Sequence, residues 1–69
     1  MESLYDVQQL FKRFGIFIYV GARIYDIELM TIELRKLYYN HLIDHETYMT
    51  AWHILKREHR IEESRKKGI

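Results

Sequence analysis

Val7, Leu10, Phe11 and Phe14 recur at i, i+3, i+4 and i+7, the spacing that puts four apolar side chains on one helical stripe. Leu4 extends the stripe one turn upstream. Ser3 followed three residues later by Asp6 reads as a capping box, with Asp6 and Gln9 offering a second start. Gly15 suits the left-handed position that closes a helix. The pattern predicts helix 1 over residues 4–14, with Phe14 in the core.

Between Gly15 and Gly21 the period changes. Ile16 to Val20 is an unbroken apolar and aromatic run that would be a strand by propensity alone. No second strand is available to pair with it, and an isolated strand is unstable in water. The expectation is an extended apolar connector laid across the helices, with an intermolecular strand pair as the alternative.

The helical period returns after residue 25. Asp26 suits an N-cap and Glu28 the first turn, where the helix dipole favours negative charge. Ile27, Met30, Leu34, Leu37, Tyr38 and His41 form one face, and Leu29, Ile32 and Tyr39 a second, on nearly the opposite side around Lys36. A helix apolar on two sides is expected between two neighbours. Here those would be helix 1 with the connector on one side and helix 3 on the other.

Asn40 is the expected left-handed residue at the end of helix 2, and Asp44 the cap of helix 3, making an αα-hairpin. Tyr48, Ala51, Trp52 and Leu55 give helix 3 its inward face; beyond them Glu58, His59 and Glu62 suggest a helix running on into solvent. The reading is an all-α three-helix bundle in a single domain over 1–69, with helix 2 over 26–40 and helix 3 over 45–65.

Composition tightens this picture. A chain of 69 residues supports one core, since a domain near this size buries only about 60 % of its unfolded surface. With no cysteine, the core must come from dense helix packing, a metal or self-association. The absence of proline favours helix, and six tyrosines bring apolar area with hydroxyls that need partners. Net charge is +1, but Lys56 to Ile69 carry six basic and three acidic residues, against five and seven in Met1 to Leu55. Mixed signs within that last block mark a solvated helix face rather than a nucleic-acid arm. Lys12 and Arg13 ahead of an apolar run mimic a secretion signal only superficially, because a helical pattern precedes them, and the run is far short of a membrane span. The expected location is the cytoplasm, with no membrane partner.

Catalytic chemistry finds no footing. His41 and His45 are separated by the predicted turn, while His53 and His59 diverge around helix 3, so no two share the face that a helical zinc site requires. Without cysteine the common structural zinc sets are missing. Ser3 and Ser64 lie near the two ends, and no hydroxyl sits in a strand-to-helix elbow near a histidine. Gly15 and Gly21 flank an apolar run without the lysine of a phosphate loop. No enzyme activity, metal or cofactor is expected.

Phe17 to Tyr25 is different, because Tyr19, Arg23 and Tyr25 bring aromatics and a guanidinium together in a glycine-punctuated segment of the kind that stacks bases and holds phosphate. The plainer reading is that both tyrosines cover the bundle while Arg23 pairs with Asp26 or Glu28.

Tyr5-Asp-Val-Gln-Gln-Leu10, Gly15, Phe17-Ile-Tyr19, Gly21, Arg23, Ile27-Glu28 and Met30, in this order and spacing, resemble the YqgQ-like family of short cytoplasmic proteins from low-GC Gram-positive bacteria. The resemblance covers nearly the whole chain. It implies an all-α three-helix fold and a suggested binding of single-stranded nucleic acid, with no enzyme activity established. One position departs: the family pattern has an acidic residue after the glycine at 21, where this chain has Ala22, so Arg23 lacks that neighbour.

Two functions follow as expectations. One is binding of single-stranded RNA or DNA by Tyr19, Arg23 and Tyr25, with Arg13, Lys56, Arg57 and Arg60 on phosphates. The other is a protein-interaction module, with self or another protein as partner, using Phe17, Leu29, Ile32 and Tyr39. Near-neutral charge weakens the first, because nucleic-acid affinity rests largely on phosphate neutralisation. Small size and surplus apolar surface favour the second.

Overall fold

The stripe of Leu4, Val7, Leu10 and Phe11 is buried along α1, Leu4–Lys12, and joins one core with residues of the other two helices. In this computed structural model, which describes residues 1–67, α2 spans Arg23–Tyr39 and α3 spans His45–Lys67. The last two residues of the expected 1–69 domain lie outside the described residues. The architecture is the all-α three-helix bundle read from the sequence, with no strand among the described residues.

Helix α1 starts where Asp6 accepts the backbone N–H groups of Glu2 and Ser3, at 2.8 and 3.1 Å, satisfying donors that a helix N-terminus leaves orphaned. Its end comes earlier than the expected residue 14. Past Lys12 the turn tightens, with Arg13, Phe14 and Gly15 each donating to the carbonyl three residues back. That rotates Phe14 off the stripe, leaving it 36 % exposed and outside the core. Gly15 then takes φ +72, and Ile16 N–H reaches back to the Phe11 carbonyl at 3.0 Å, closing the helix as expected.

The connector is extended and alternates. Ile16 and Ile18 pack against the core, while Phe17, Tyr19 and Val20 face solvent. Helix α2 begins three residues before the expected cap, with Ala22 at the N-cap position. Asp26 is thus not the cap but a residue inside the helix. It is buried, and its Oδ1 accepts the Val20 N–H at 2.7 Å, tying the connector to α2.

The α2–α3 turn is a Schellman closure, in which Leu42 N–H reaches the Leu37 carbonyl at 2.9 Å and His41 N–H the Tyr38 carbonyl at 3.0 Å. The left-handed residue is His41, with φ +61, and not Asn40, whose φ is −92. Asn40 instead donates from Nδ2 to the Lys36 carbonyl. His41 is consequently exposed rather than part of the α2 face. Asp44 caps α3 as expected, its Oδ1 taking the Thr47 N–H at 2.8 Å.

Helices α2 and α3 pack antiparallel around Ile27, Met30, Leu34, Leu37, Ala51, Ile54 and Leu55. Ile54, absent from the expected inward face, is buried, whereas Tyr48 and Trp52 are half-buried at its edge. At the turn end Tyr38 stacks on Tyr48 at 4.3 Å, with its hydroxyl 3.0 Å from His45 Nδ1. Helix α1 packs on α3, and Arg57 donates to the Glu2 carbonyl at 2.6 Å.

The expected sandwiching of α2 does not form. Leu29, Ile32 and Tyr39 are 40, 50 and 72 % exposed, because α1 and the connector lie beside the Met30 edge of α2 and leave its outer face open. Nor does α3 simply run out into solvent beyond Leu55. Glu58 and Glu62 hold Arg23, and His59 lies 2.9 Å from Glu28 and 3.0 Å from Glu63.

Candidate functional site

The connector owes its shape to three local features. Gly15 turns the chain out of α1, the Asp26 carboxylate pins it at Val20, and Gly21 at φ +95 turns it into α2. Alternation over so short a segment sends Ile16 and Ile18 inward and leaves Phe17 and Tyr19 74 and 87 % exposed. Between the connector and α1 lies an open cleft of about 200 Å³. Phe11, Ile16, Ile18 and Met30 line its apolar part; Gln8, Lys12, Phe17 and Tyr19 supply its amide, ammonium and ring edges. Ligand pockets for drug-sized molecules run to about 300–1,000 Å³, so this cleft has room for one ring at a time.

The residues proposed to hold nucleic acid do not form one patch. Lys12 lines the connector cleft, whereas Arg13, next to it at the end of α1, points to another face of the helix with Asp6 and Gln9; neither makes an ion pair among the described residues. Arg23 does not pair with Asp26 or Glu28 but with α3, at 2.9 Å from Glu58 and 3.2 Å from Glu62. Those two carboxylates are largely covered and also meet Arg57 and Arg65, at 3.7 and 3.2 Å. The network clamps the start of α2 to the late turns of α3. Each half-exposed pair in it is worth at most about 1 kcal/mol. The Arg23 charge is thereby neutralised by protein carboxylates before any phosphate arrives.

Lys56 and Arg60 sit on α3 roughly opposite Glu58 and Glu62 by helical position, away from the connector. Lys56 lies 5.3 Å over the Trp52 ring, a cation–π arrangement, and Arg57 is occupied by Glu2 and Glu58. None of these three lines the connector cleft.

Tyr25 also leaves the expected cluster. Lying inside α2, it shares the helix's outer face with Leu29, Ile32, Lys36 and Tyr39, and it is 54 % exposed. The interaction surface expected from the sequence therefore splits as well. Phe17 belongs to the cleft, whereas Leu29, Ile32 and Tyr39 belong to the helix face, now joined by Tyr25.

Gln8 and Lys12 were not singled out by sequence reasoning. The available signal was their four-residue spacing on α1 just upstream of the glycine that turns the chain, which places both beside the returning connector. Among the described residues no group of three or more His, Asp or Glu side chains is placed to hold a metal ion. No described helix is long and apolar enough to cross a membrane.

The profile of the YqgQ-like family matches residues 1–61, from the α1 cap through most of α3. The uncharacterised protein YqgQ of Bacillus subtilis (strain 168) is 47 % identical over 58 residues, covering 84 % of this chain and 82 % of that one. These matches make the chain a member of the YqgQ-like family.

Proposed function

We propose that this chain is a non-enzymatic binding protein of the cytoplasm whose connector cleft takes single-stranded nucleic acid. The observation that carries the reading is the pair Phe17 and Tyr19, presented almost bare at the edge of a cleft that Lys12 also lines. Large aromatics held in the open on a pinned, extended segment supply flat faces for unpaired bases, worth about 1–3 kcal/mol per stacked base. Duplex DNA keeps its bases stacked on one another and offers no such faces.

With a net charge of +1, affinity leans on stacking more than on phosphate. Lys12 is the cation placed to meet the backbone, while Arg13, on another face of α1, and Arg23, Lys56, Arg57 and Arg60 lie outside the contact. One phosphate contact on a single strand gives a slope of log K against log salt of about −0.7.

Fluorescence anisotropy of a labelled oligo(U) titrated with protein at several salt concentrations tests this. Phe17→Ala with Tyr19→Ala should abolish binding, Lys12→Ala should remove most of the salt dependence, and Lys56→Ala should leave it unchanged. Absence of binding by the wild type at about 50 mM salt, where counterion release favours it most, overturns the reading.

A second reading, a protein-contact module, is favoured by the uncovered outer face of α2.

A further inference from the structure

The outer face of α2 carries Tyr25, Leu29, Ile32, Lys36 and Tyr39, spaced four, three, four and three residues apart. That is the spacing of a coiled-coil seam, d-a-d-a-d over two heptads, with one polar residue, Lys36, at an a position. The apolar members are 40 to 72 % exposed, and the Lys36 side chain is 64 % exposed. The inner face of the same helix, Ile27, Met30, Leu34 and Leu37, is consumed by the bundle. One helix thus serves two apolar surfaces, and the fold covers one.

We propose that α2 pairs through this seam with α2 of a second copy of the chain, antiparallel about a two-fold axis. The proposal rests on the protein-contact reading and names its partner. Charge selects both partner and direction. The seam is edged by Glu28 and Arg35 at the two g positions and by Glu33 at an e position. In a parallel pair the g residue of one helix meets the e residue of the next heptad on the other. Glu28 would then face Glu33 twice, and Lys36 would face Lys36 within the seam. Both juxtapositions are like-charged, and the exposed Glu33–Lys36 pair within each chain, at 3.3 Å, offsets them only in part.

Antiparallel pairing reverses each of these. Edge g residues then meet g residues, so Glu28 of each copy faces Arg35 of the other, twice by symmetry. Leu29 packs against Ile32 of the other copy. Lys36 falls opposite Tyr25, whose ring takes the lysine stem and offers a face to its ammonium. Asp26, the remaining e residue, is turned into its own fold toward the Val20 N–H and presents no charge to the edge. A self-complementary surface of this kind is what an isologous dimer requires.

The seam from Tyr25 to Tyr39 spans about 21 Å at 1.5 Å per residue, which places the dimer among small, weak interfaces. Its dissociation constant is expected between about 1 μM and 1 mM.

Analytical ultracentrifugation of the full chain up to about 1 mM, with circular dichroism as the check on folding, tests the proposal. Wild type should sediment as a concentration-dependent dimer. Ile32→Glu should raise the dissociation constant at least about tenfold, roughly 1.4 kcal/mol, with helicity unchanged. Arg35→Glu alone and Glu28→Arg alone should each weaken self-association comparably, because Glu then faces Glu in the first and Arg faces Arg in the second. Mixing the two single variants should restore a dimer, since each edge of the mixed pair regains opposite charges. Arg35 makes no ion pair among the described residues, so its variant stays informative even if Glu28→Arg disturbs the contact with His59.

A wild type that stays monomeric throughout overturns the second-copy proposal while leaving a different protein partner for the same face. A dimer insensitive to Ile32→Glu overturns the use of this face altogether. A dimer tightened by Glu28→Arg, or not restored by mixing, overturns the antiparallel arrangement.

Discussion

Removing the carboxylate of Asp26 should both unpin the connector and destabilise the fold. The side chain is 7 % exposed and accepts one hydrogen bond, from Val20 N–H at 2.7 Å. A hydrogen bond to a charged group contributes about 1.5–3 kcal/mol, against about 0.5–1.5 for a neutral one. Asp26 also lies in the first turn of α2, where a negative charge gains about 0.3–1 kcal/mol from the helix dipole. Val20 is itself 56 % exposed, so water can replace part of the lost bond, and the lower half of the combined range applies. Asp26→Ala should then cost about 2 kcal/mol, and Asp26→Asn, which keeps an acceptor without the charge, about 1 kcal/mol. For 69 residues the whole stability is roughly 3–10 kcal/mol, so the larger loss is a substantial share. With a urea m value near 1 kcal/mol/M, the midpoint of Asp26→Ala should fall by about 2 M and that of Asp26→Asn by about 1 M. The same variants should loosen oligonucleotide binding, because Phe17 and Tyr19 lose their fixed backbone. An Asp26→Ala midpoint within about 0.5 M of wild type would refute the anchoring role.

Two further outcomes follow from local geometry. His41 sits at φ +61, where a side chain costs about 1–2 kcal/mol, so His41→Gly should raise the thermal midpoint by a few degrees even after glycine's greater unfolded entropy is counted. Asn40→Gly, at ordinary φ and losing a bond to the Lys36 carbonyl, should lower it, and the opposite order of the two midpoints would contradict the turn assignment. Asp6 is held below the ordinary 3.8 by the backbone N–H groups of Glu2 and Ser3, and Asp44 by hydrogen bonds from the side chain and backbone of Thr47. A depressed folded pKa means stability that is present above 3.8 and lost as pH falls through the folded value. Urea midpoints should therefore be steady down to about pH 4 and drop below it, and Asp6→Asn with Asp44→Asn should flatten that drop; an unchanged acid slope would show that other groups govern it.

The fold was legible where a periodic signal met a local cap. The α1 stripe with Gly15, and the Asp44 cap of α3, are properties of a few neighbouring residues, and local rules reach them. The errors fall where a residue type has two uses. Asp26 has the character of a cap, yet its carboxylate is taken by a backbone N–H six residues upstream. Asn40 and His41 both tolerate the left-handed region, and the Leu42 to Leu37 hydrogen bond decides between them. Arg23 had nearby acids in sequence but found its partners 35 and 39 positions away, on Glu58 and Glu62, a pairing that only the antiparallel packing of α2 on α3 creates. The aromatic cluster dissolved for a related reason. Tyr19 and Tyr25 are close in sequence, but one lies on the extended connector and the other inside a helix, so the two sit on surfaces with different periods.

Why so much apolar surface stays outside follows from the lengths of the elements. Helix α1 has nine residues, about 14 Å of helix, and packs on α3 while α2 spans about 25 Å. A helix that short, packed on α3 without a close backbone approach to α2, cannot also wrap the far side of α2. Exchanging Leu29, Ile32 and Tyr39 for charged residues would leave the core untouched, since none of them belongs to it. Folding alone therefore does not account for an apolar stripe at seam spacing. The same reasoning applies to Phe17 and Tyr19, which alternate with the core-packing Ile16 and Ile18 and would serve the fold equally well as threonine or lysine. Helix α2 and the connector each carry one face for the bundle and one for something else. Asp26 is where the two elements are joined, so its loss should disturb both outward surfaces from within the core.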